Sequence, residues 1–142
     1  MTWINAHILT LVTFFPTLAA LLLLFLPEAR KRLILTAGLL LSLVEFVLSL
    51  HLYFHFTNTG SFEFMEVMPW IEPAHIQYFM GIDGVSLLLI LLTTALTPLI
   101  FLSSLSAVHT RVRGFAISFL ILETGMIGAF AALDLFLFYV FW

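Results

Sequence analysis

Long apolar runs dominate the chain and recur along its length. Four of them cover residues 8–27, 33–56, 85–108 and 114–133, and none contains more than one Asp, Glu, Lys or Arg. A helix needs about 20 apolar residues to cross ~30 Å of hydrocarbon. The alternating pattern of a membrane barrel strand is missing from these runs. The pattern therefore predicts an all-α, polytopic transmembrane helix bundle that forms a single membrane domain over residues 1–142.

A fifth apolar run follows Asp134 and covers residues 135–142. Eight helical residues reach only about 12 Å, well short of a crossing. A carboxylate terminus buried in hydrocarbon would be costly. We therefore expect four full spans and the start of a fifth, in a fragment of a longer chain.

One long connection, residues 57–84, separates the second and third runs. Polar and apolar residues alternate over 61–64 and again over 76–80, and Pro69 and Pro73 lie between the two stretches. Alternation of this kind is typical of half-buried strands. The connection is therefore predicted to form a short β-hairpin on the surface of the bundle.

Composition agrees with a membrane protein and excludes several other classes. Hydrophobic residues make up 63% of the chain and charged residues 9%, against about 25% charged residues in soluble domains; the mean hydropathy is +1.18. A net charge of −3 without a basic stripe argues against a nucleic-acid partner. Without cysteine the chain cannot form disulfides or bind iron–sulfur clusters through thiolates.

The basic residues indicate the orientation in the membrane. All five lie in two loops, Arg30, Lys31 and Arg32 after the first run and Arg111 and Arg113 after the third. The long connection between them carries glutamates and no Lys or Arg. By the positive-inside rule, both basic loops are cytoplasmic and the N-terminus is periplasmic. A cleaved signal peptide is disfavoured for the first run because its basic cluster follows it.

Two carboxyl groups lie deep within the predicted spans. Counted from the cytoplasmic face, Glu45 is roughly 18 Å deep and Glu123 roughly 14 Å deep. An ionised carboxylate there costs at least ~2.5 kcal/mol. Each glutamate is therefore either a proton-relay site or a neutral group in a structural hydrogen bond, for which Ser42 and Ser49 share the helix face of Glu45.

Three further features allow a functional and a structural interpretation. His109, at the inner end of the third span, is a candidate gating residue or a residue that reaches for the interface. Pro98 leaves the carbonyl of Thr94 without its helical hydrogen bond. A helix of this kind can flank an ion path, or it can be an ordinary packing kink. His51 and His55 share a helix face, but two ligands are too few for a closed metal site. We therefore assign no metal site.

Small residues form one face of the fourth span. Thr124, Gly128 and Ala132 are spaced four apart, as are Gly125 and Ala129. Such a face permits close helix packing in membranes. The fourth span is therefore predicted to lie inside the bundle.

Three segments resemble a known family of membrane proteins. They are Gly-Ile-Asp-Gly-Val-Ser-Leu-Leu at 81–88, Glu-Thr-Gly-Met-Ile-Gly at 123–128 and residues 134–142. Over essentially its whole length the chain resembles the N-terminal part of the subunit M (chain 4) family of NADH:quinone oxidoreductase, respiratory complex I. The GxDGxS segment is shared with multisubunit Na⁺/H⁺ antiporters and membrane-bound hydrogenases, which remain the first alternative. A small non-catalytic membrane scaffold is the second.

The resemblance implies a non-redox, antiporter-like subunit that translocates protons. NADH, flavin, iron–sulfur clusters and quinone would be bound by partner subunits, and adjacent antiporter-like subunits and the lipid bilayer would surround it. The family's central glutamate would be residue 143, so this chain alone is not expected to pump. The resemblance favours a bacterial inner membrane over a mitochondrial inner membrane or a thylakoid.

No residue of this chain is expected to be catalytic in the redox sense or to bind a cofactor. Asp83 and Asp134 match the family pattern at outer helix ends, where capping competes with a role as a proton outlet. The proton-path candidates are Glu123, Glu45, Asp134, Asp83 and His109.

Overall fold

The computed structural model describes residues 7–57 and 60–142. The N-terminal segment ahead of His7, for which a periplasmic position is predicted, lies outside the described residues. Over the described residues, five α-helices and one two-stranded sheet follow in order: α1 Ile8–Leu24, α2 Lys31–His55, β1 Glu63–Ile71, β2 Ile76–Ile82, α3 Gly84–Ala107, α4 Val112–Ala131 and α5 Leu135–Phe141. The predicted all-α membrane bundle with a hairpin is confirmed.

Helices α2, α3 and α4 are long and apolar enough to cross a membrane, whereas α1 is shorter. Helix α1 has 17 residues and ends three residues before the predicted boundary at Pro27. Its last turn tightens, because the amides of Phe25 and Leu26 bond to the carbonyls of Leu22 and Leu23 at 3.3 and 3.1 Å. The following proline cannot continue a helix.

Glycines permit two close helix contacts. A Cβ atom at Gly38 of α2 would clash with the ring of Phe101 in α3, and one at Gly128 of α4 would clash with the ring of Phe141 in α5. The backbone carbonyl of Phe141 lies 3.0 Å from the Cβ position of Gly125. The small-residue face of α4 therefore receives the short last helix.

The hairpin has one feature that the sequence pattern places incorrectly. Pro69 lies within β1, opposite Gln77, and does not separate the strands. A two-stranded sheet has two open edges, so a residue without an amide hydrogen is tolerated where it faces an edge or a bulge. Register shifts follow Pro69 and also Glu63, next to which Phe64 has a φ of 53°.

Two apolar clusters form the core, one at each end of the bundle. The outer cluster, next to the hairpin, includes Leu9, Leu52, Ile82 and Ile127. The inner cluster, next to the basic loops, includes Leu23, Ile34, Phe101 and Leu120. A third set of buried side chains lies between the clusters and is polar: Thr13, Ser42, Glu45, Ser49, Thr93, Thr94, Thr97, Glu123 and Thr124. We call these nine residues the central polar layer.

Both basic loops lie at the same end of the bundle, as the charge pattern predicts. The Arg113 guanidinium approaches the Glu28 carboxylate to 3.3 Å and donates to the carbonyl of Leu26. The Lys31 ammonium donates to the carbonyl of His109 at 2.7 Å. These contacts join the loop after α1 to the loop after α3.

Candidate functional site

Glu45 and Glu123 both lie in the interior of the bundle, within electrostatic range of each other. Glu45 lies near the middle of α2 and Glu123 in the second half of α4, and their side chains are 1% and 0% exposed. They are close enough for their carboxyl groups to interact electrostatically. Each glutamate lies on the buried face of its helix, among small or apolar residues, and these two faces point into the bundle.

Neither carboxyl group has a hydrogen-bond partner within the described part of the chain. All four carboxyl oxygens are inaccessible to solvent and unbonded. A buried carboxyl in this setting must be protonated, paired or reached by water, since an unpaired charge in a low-dielectric medium is costly.

The expected serine partners of Glu45 bond elsewhere. Ser42 donates to the carbonyl of Leu39 at 2.9 Å and Ser49 to that of Phe46 at 2.8 Å. Serines in helices often bond back to the preceding turn in this way. Neither Ser42 nor Ser49 therefore bonds to the Glu45 carboxyl in this structure.

Hydroxyl groups of α3 line the same layer. Thr94 Oγ1 lies 2.7 Å from Ser49 Oγ, which joins α3 to α2. Thr97 lies beside the Glu123 carboxyl, but its hydroxyl donates to the carbonyl of Thr93 at 3.1 Å. A hydroxyl both donates and accepts, so rotation of Thr97 would offer its proton to Glu123.

Pro98 does not break α3, which continues as one helix from Gly84 to Ala107. The threonines around it donate to carbonyls of earlier residues, Thr93 to Leu89 at 2.9 Å and Thr94 to Leu91 at 3.2 Å. Both threonine side chains are therefore buried within the helix packing and bonded to their own helix.

The two aspartates lie at the outer end and cap helices. Asp83 Oδ1 accepts from the Ser86 amide at 2.7 Å at the start of α3, and this hydrogen bond lowers the pKa of the Asp83 carboxyl below 3.8. Asp134 Oδ1 accepts from the amides of Phe136 and Leu137 at 2.9 and 3.0 Å at the start of α5. The structure thus shows the capping role for both.

His109 lies at the opposite end of the bundle, in the loop after α3, and is exposed. The five sequence candidates therefore occupy three places: the carboxyl pair in the middle, the two aspartates at the outer end and His109 at the inner end. His51 and His55 stack at the outer end of α2 with ring centroids 4.0 Å apart. Over residues 7–57 and 60–142, no group of three His, Cys, Asp or Glu side chains could hold a metal ion.

Sequence reasoning missed one buried carboxylate, Glu66 of β1, which is 5% exposed. Its Oε1 accepts from the amides of Leu9 and Thr10 at 2.9 and 3.1 Å, and its Oε2 accepts from the Thr10 hydroxyl. The Thr10 hydroxyl also lies 2.8 Å from the Tyr78 hydroxyl. Glu66 thus caps α1 from 56 residues away along the chain. The one available signal was the lack of a Ser, Thr, Asp or Asn at the start of α1.

Comparison with known proteins identifies the family. A family model described as NADH-ubiquinone oxidoreductase chain 4, amino terminus, matches residues 8–129. Chain 4 of Arabidopsis thaliana is 42% identical over 89% of this chain and 26% of its own length. NADH-quinone oxidoreductase subunit M of Rhodobacter capsulatus is 40% identical over 95% of this chain and 27% of its own length. Subunit M of Rickettsia conorii is 28% identical over 94% of this chain and 28% of its own length.

The chain thus spans about a quarter of the length of the curated relatives that it matches. The matched region includes the hairpin and four helices, from Ile8 to near the end of α4. These matches support the complex I interpretation over the antiporter and scaffold alternatives, and the chain belongs to the NADH-ubiquinone oxidoreductase chain 4 family, whose amino-terminal part it matches.

Proposed function

We propose that this chain forms the N-terminal part of a complex I membrane-arm subunit that couples electron transfer from NADH to quinone to proton translocation. Family membership and the membrane-spanning helices support this assignment. The observation that carries the proton-handling role is the carboxyl pair Glu45 and Glu123, which is buried in the central polar layer and has no hydrogen-bond partner over residues 7–57 and 60–142. Intramembrane carboxyl groups of this kind are typical of proton relays.

Glu123 and Glu45 would act together as one proton-holding station. Protonation of either carboxyl removes the repulsion that two ionised groups would exert across a low-dielectric gap. The hydroxyl of Thr97 beside Glu123, and the Ser49–Thr94 contact, provide donors and acceptors from which water can continue a path along α3.

Asp83, Asp134 and His109 are proposed as the ends of such a path. The two aspartates lie where an outer exit would open, although their capping bonds occupy one carboxylate oxygen each. His109 is exposed at the inner end, where an inner entrance would open.

Electron transfer is assigned to partner subunits. The chain has no cysteine and therefore no thiolate for an iron–sulfur cluster. We propose that NADH, flavin, iron–sulfur clusters and quinone are bound by those partners. The proposed neighbours are other membrane-arm subunits, above all antiporter-like ones, and lipid. Large exposed side chains on the outer faces of the helices, among them Leu18, Leu40, Leu88 and Leu99, need such cover.

The proposed location is a bacterial inner membrane with the N-terminus on the periplasmic side. The segregation of charge supports this orientation. The end that carries the basic loops has all five Lys and Arg of the chain and one acid, Glu28.

Replacement of each buried glutamate by glutamine in the full-length protein tests the proton-handling role. Proton uptake driven by NADH is measured in inverted membrane vesicles together with electron transfer to quinone. For Glu123→Gln and Glu45→Gln we expect proton uptake to fall at least fivefold, because an amide does not exchange its charge state. Glu28→Gln, a carboxyl on the inner surface, is the matched control and should pump normally. Normal pumping by both buried variants would show that the pair is structural.

A further inference from the structure

We propose that a cavity at the inner end of the bundle, lined by Lys31, Arg32 and His109, binds the headgroup of an anionic phospholipid. The cavity lies between the first turns of α2 and the end of α3 and has a volume of about 390 Å³. Leu35, Leu105 and Val108 complete its lining. A cationic rim above an apolar wall matches a lipid, which places a charged phosphate beside hydrocarbon.

The charges around the cavity are not neutralised by nearby acids. Glu28 is the one carboxylate of the basic loops, and it lies 3.3 Å from the Arg113 guanidinium. Among the described residues, neither Lys31 nor Arg32 forms a salt bridge. These two side chains therefore keep their charge available for a phosphate.

Helix geometry adds positive potential at the same place. Helix α2 begins at Lys31, and its N-cap residue Arg30 makes no side-chain cap. The first amides of a helix lack partners within it, and the helix dipole is positive there. The carbonyl of His109, at the end of α3, would repel an anion, but the Lys31 ammonium covers it at 2.7 Å. An ammonium has three donors, so this bond leaves two for a ligand.

The apolar wall selects a lipid over a free phosphate ion. Leu35 is buried, and Leu105 and Val108 are half-buried, so their side chains give the cavity an apolar part of its lining. Glycerol and the first methylene groups of an acyl chain would cover these residues and gain about 25 cal/mol per Å² of buried apolar area. An inorganic phosphate would leave them in contact with water.

Photo-labelling measures this binding in the full-length protein within its own complex. The complex is placed in nanodiscs that contain diazirine-bearing phosphatidylglycerol or, at the same mole fraction, diazirine-bearing phosphatidylcholine. Labelled peptides that contain Leu35 or Leu105 are quantified by mass spectrometry. We expect phosphatidylglycerol to label them at least fivefold more than phosphatidylcholine. Equal labelling by the two lipids would overturn the proposal without any variant.

Three variants locate the charge that is responsible. Lys31→Gln and Arg32→Gln should each lower the phosphatidylglycerol signal by about fivefold, the contribution expected of one basic residue near an anionic headgroup. Lys31→Arg should retain it. Arg113→Gln removes one charge from the same end of the bundle, away from the cavity, and should leave the signal unchanged. A double Lys31→Gln, Arg32→Gln protein that is labelled like the wild type would refute the site.

Added inorganic phosphate tests whether the cavity binds a lipid headgroup or a free phosphate ion. Millimolar phosphate added to the wild-type nanodiscs should leave the labelling by phosphatidylglycerol unchanged, because the lipid is held by its acyl chains as well as by its headgroup. Loss of labelling under this condition would mean that the cavity binds free phosphate and would overturn the lipid assignment.

Discussion

Removal of the Glu66 carboxylate should loosen the start of α1. Glu66 lies on the hairpin and accepts hydrogen bonds from the amides of Leu9 and Thr10 and from the Thr10 hydroxyl. His7, the N-cap residue, provides no side-chain cap, and its Nδ1 lies 3.8 Å from Glu66 Oε2. The variant Glu66→Ala therefore removes the cap and its hydrogen bonds to the hairpin, and leaves the Thr10–Tyr78 contact in place.

The expected cost follows from the contacts that are lost. Leu9 is fully buried, so its amide is left without an acceptor, which costs about 1–3 kcal/mol. Loss of a negative charge at a helix N-terminus adds about 0.3–1 kcal/mol. Water can replace the acceptor of the partly buried Thr10. A total cost of about 3 kcal/mol makes local opening of this helix end roughly 100-fold more frequent.

Hydrogen exchange of the peptide over residues 7–14, in the full-length protein within its complex, measures this opening. Glu66→Ala should raise exchange at Leu9 and Thr10 by roughly 100-fold, and Glu66→Gln, which keeps one acceptor oxygen, by roughly tenfold. Glu72→Ala removes an exposed acid from the same hairpin and serves as the control. Exchange in Glu66→Ala that stays within threefold of the wild type would refute the capping role.

Three further predictions concern other parts of the chain. Gly128→Ala should destabilise the protein by about 1–3 kcal/mol in thermal unfolding, because its new Cβ would clash with the Phe141 ring. Adding Phe141→Ala to this variant should restore stability. Gly114→Ala, whose Cβ would enter open space, should leave stability unchanged. The lowered pKa of Asp83 stabilises the fold above pH 3.8, and this contribution is lost as the pH falls through the pKa of the folded state; Asp83→Asn should abolish that acid dependence of the unfolding temperature, and an unchanged dependence would contradict it. A cysteine at Thr2 should react with an impermeant maleimide on intact cells, whereas protection would reverse the predicted topology.

The membrane class, the helix content and the hairpin follow from local patterns. Runs of about 20 apolar residues have few stable arrangements in hydrocarbon other than helices, because the backbone must satisfy its own hydrogen bonds. Alternation around Pro69 predicted the hairpin but misplaced that proline, since open strand edges tolerate a residue without an amide hydrogen. The end of α1 was placed too late for a similarly local reason, a tightened last turn before Pro27.

The candidate site was predictable only one residue at a time. The depth of Glu45 and Glu123 within their spans marked each as unusual, because a carboxyl is costly there. Their meeting depends on the rotation of α2 and α4 about their axes, which packing against α3 decides. The bonds of Ser42 and Ser49 to their own helix likewise depend on rotamers that residue spacing does not specify.

By itself the sequence determined that this protein lies in a membrane, that its basic loops share one end and that two carboxyls lie deep within the spans. These properties depend on composition and on distance along the chain. Tertiary structure alone decided that the two carboxyls form a pair, that Glu66 caps a helix 56 residues away, and that Lys31 and Arg32 line a cavity with the end of α3. Contacts of this kind join residues far apart in sequence, and only the packing of helices against one another determines which side chains meet.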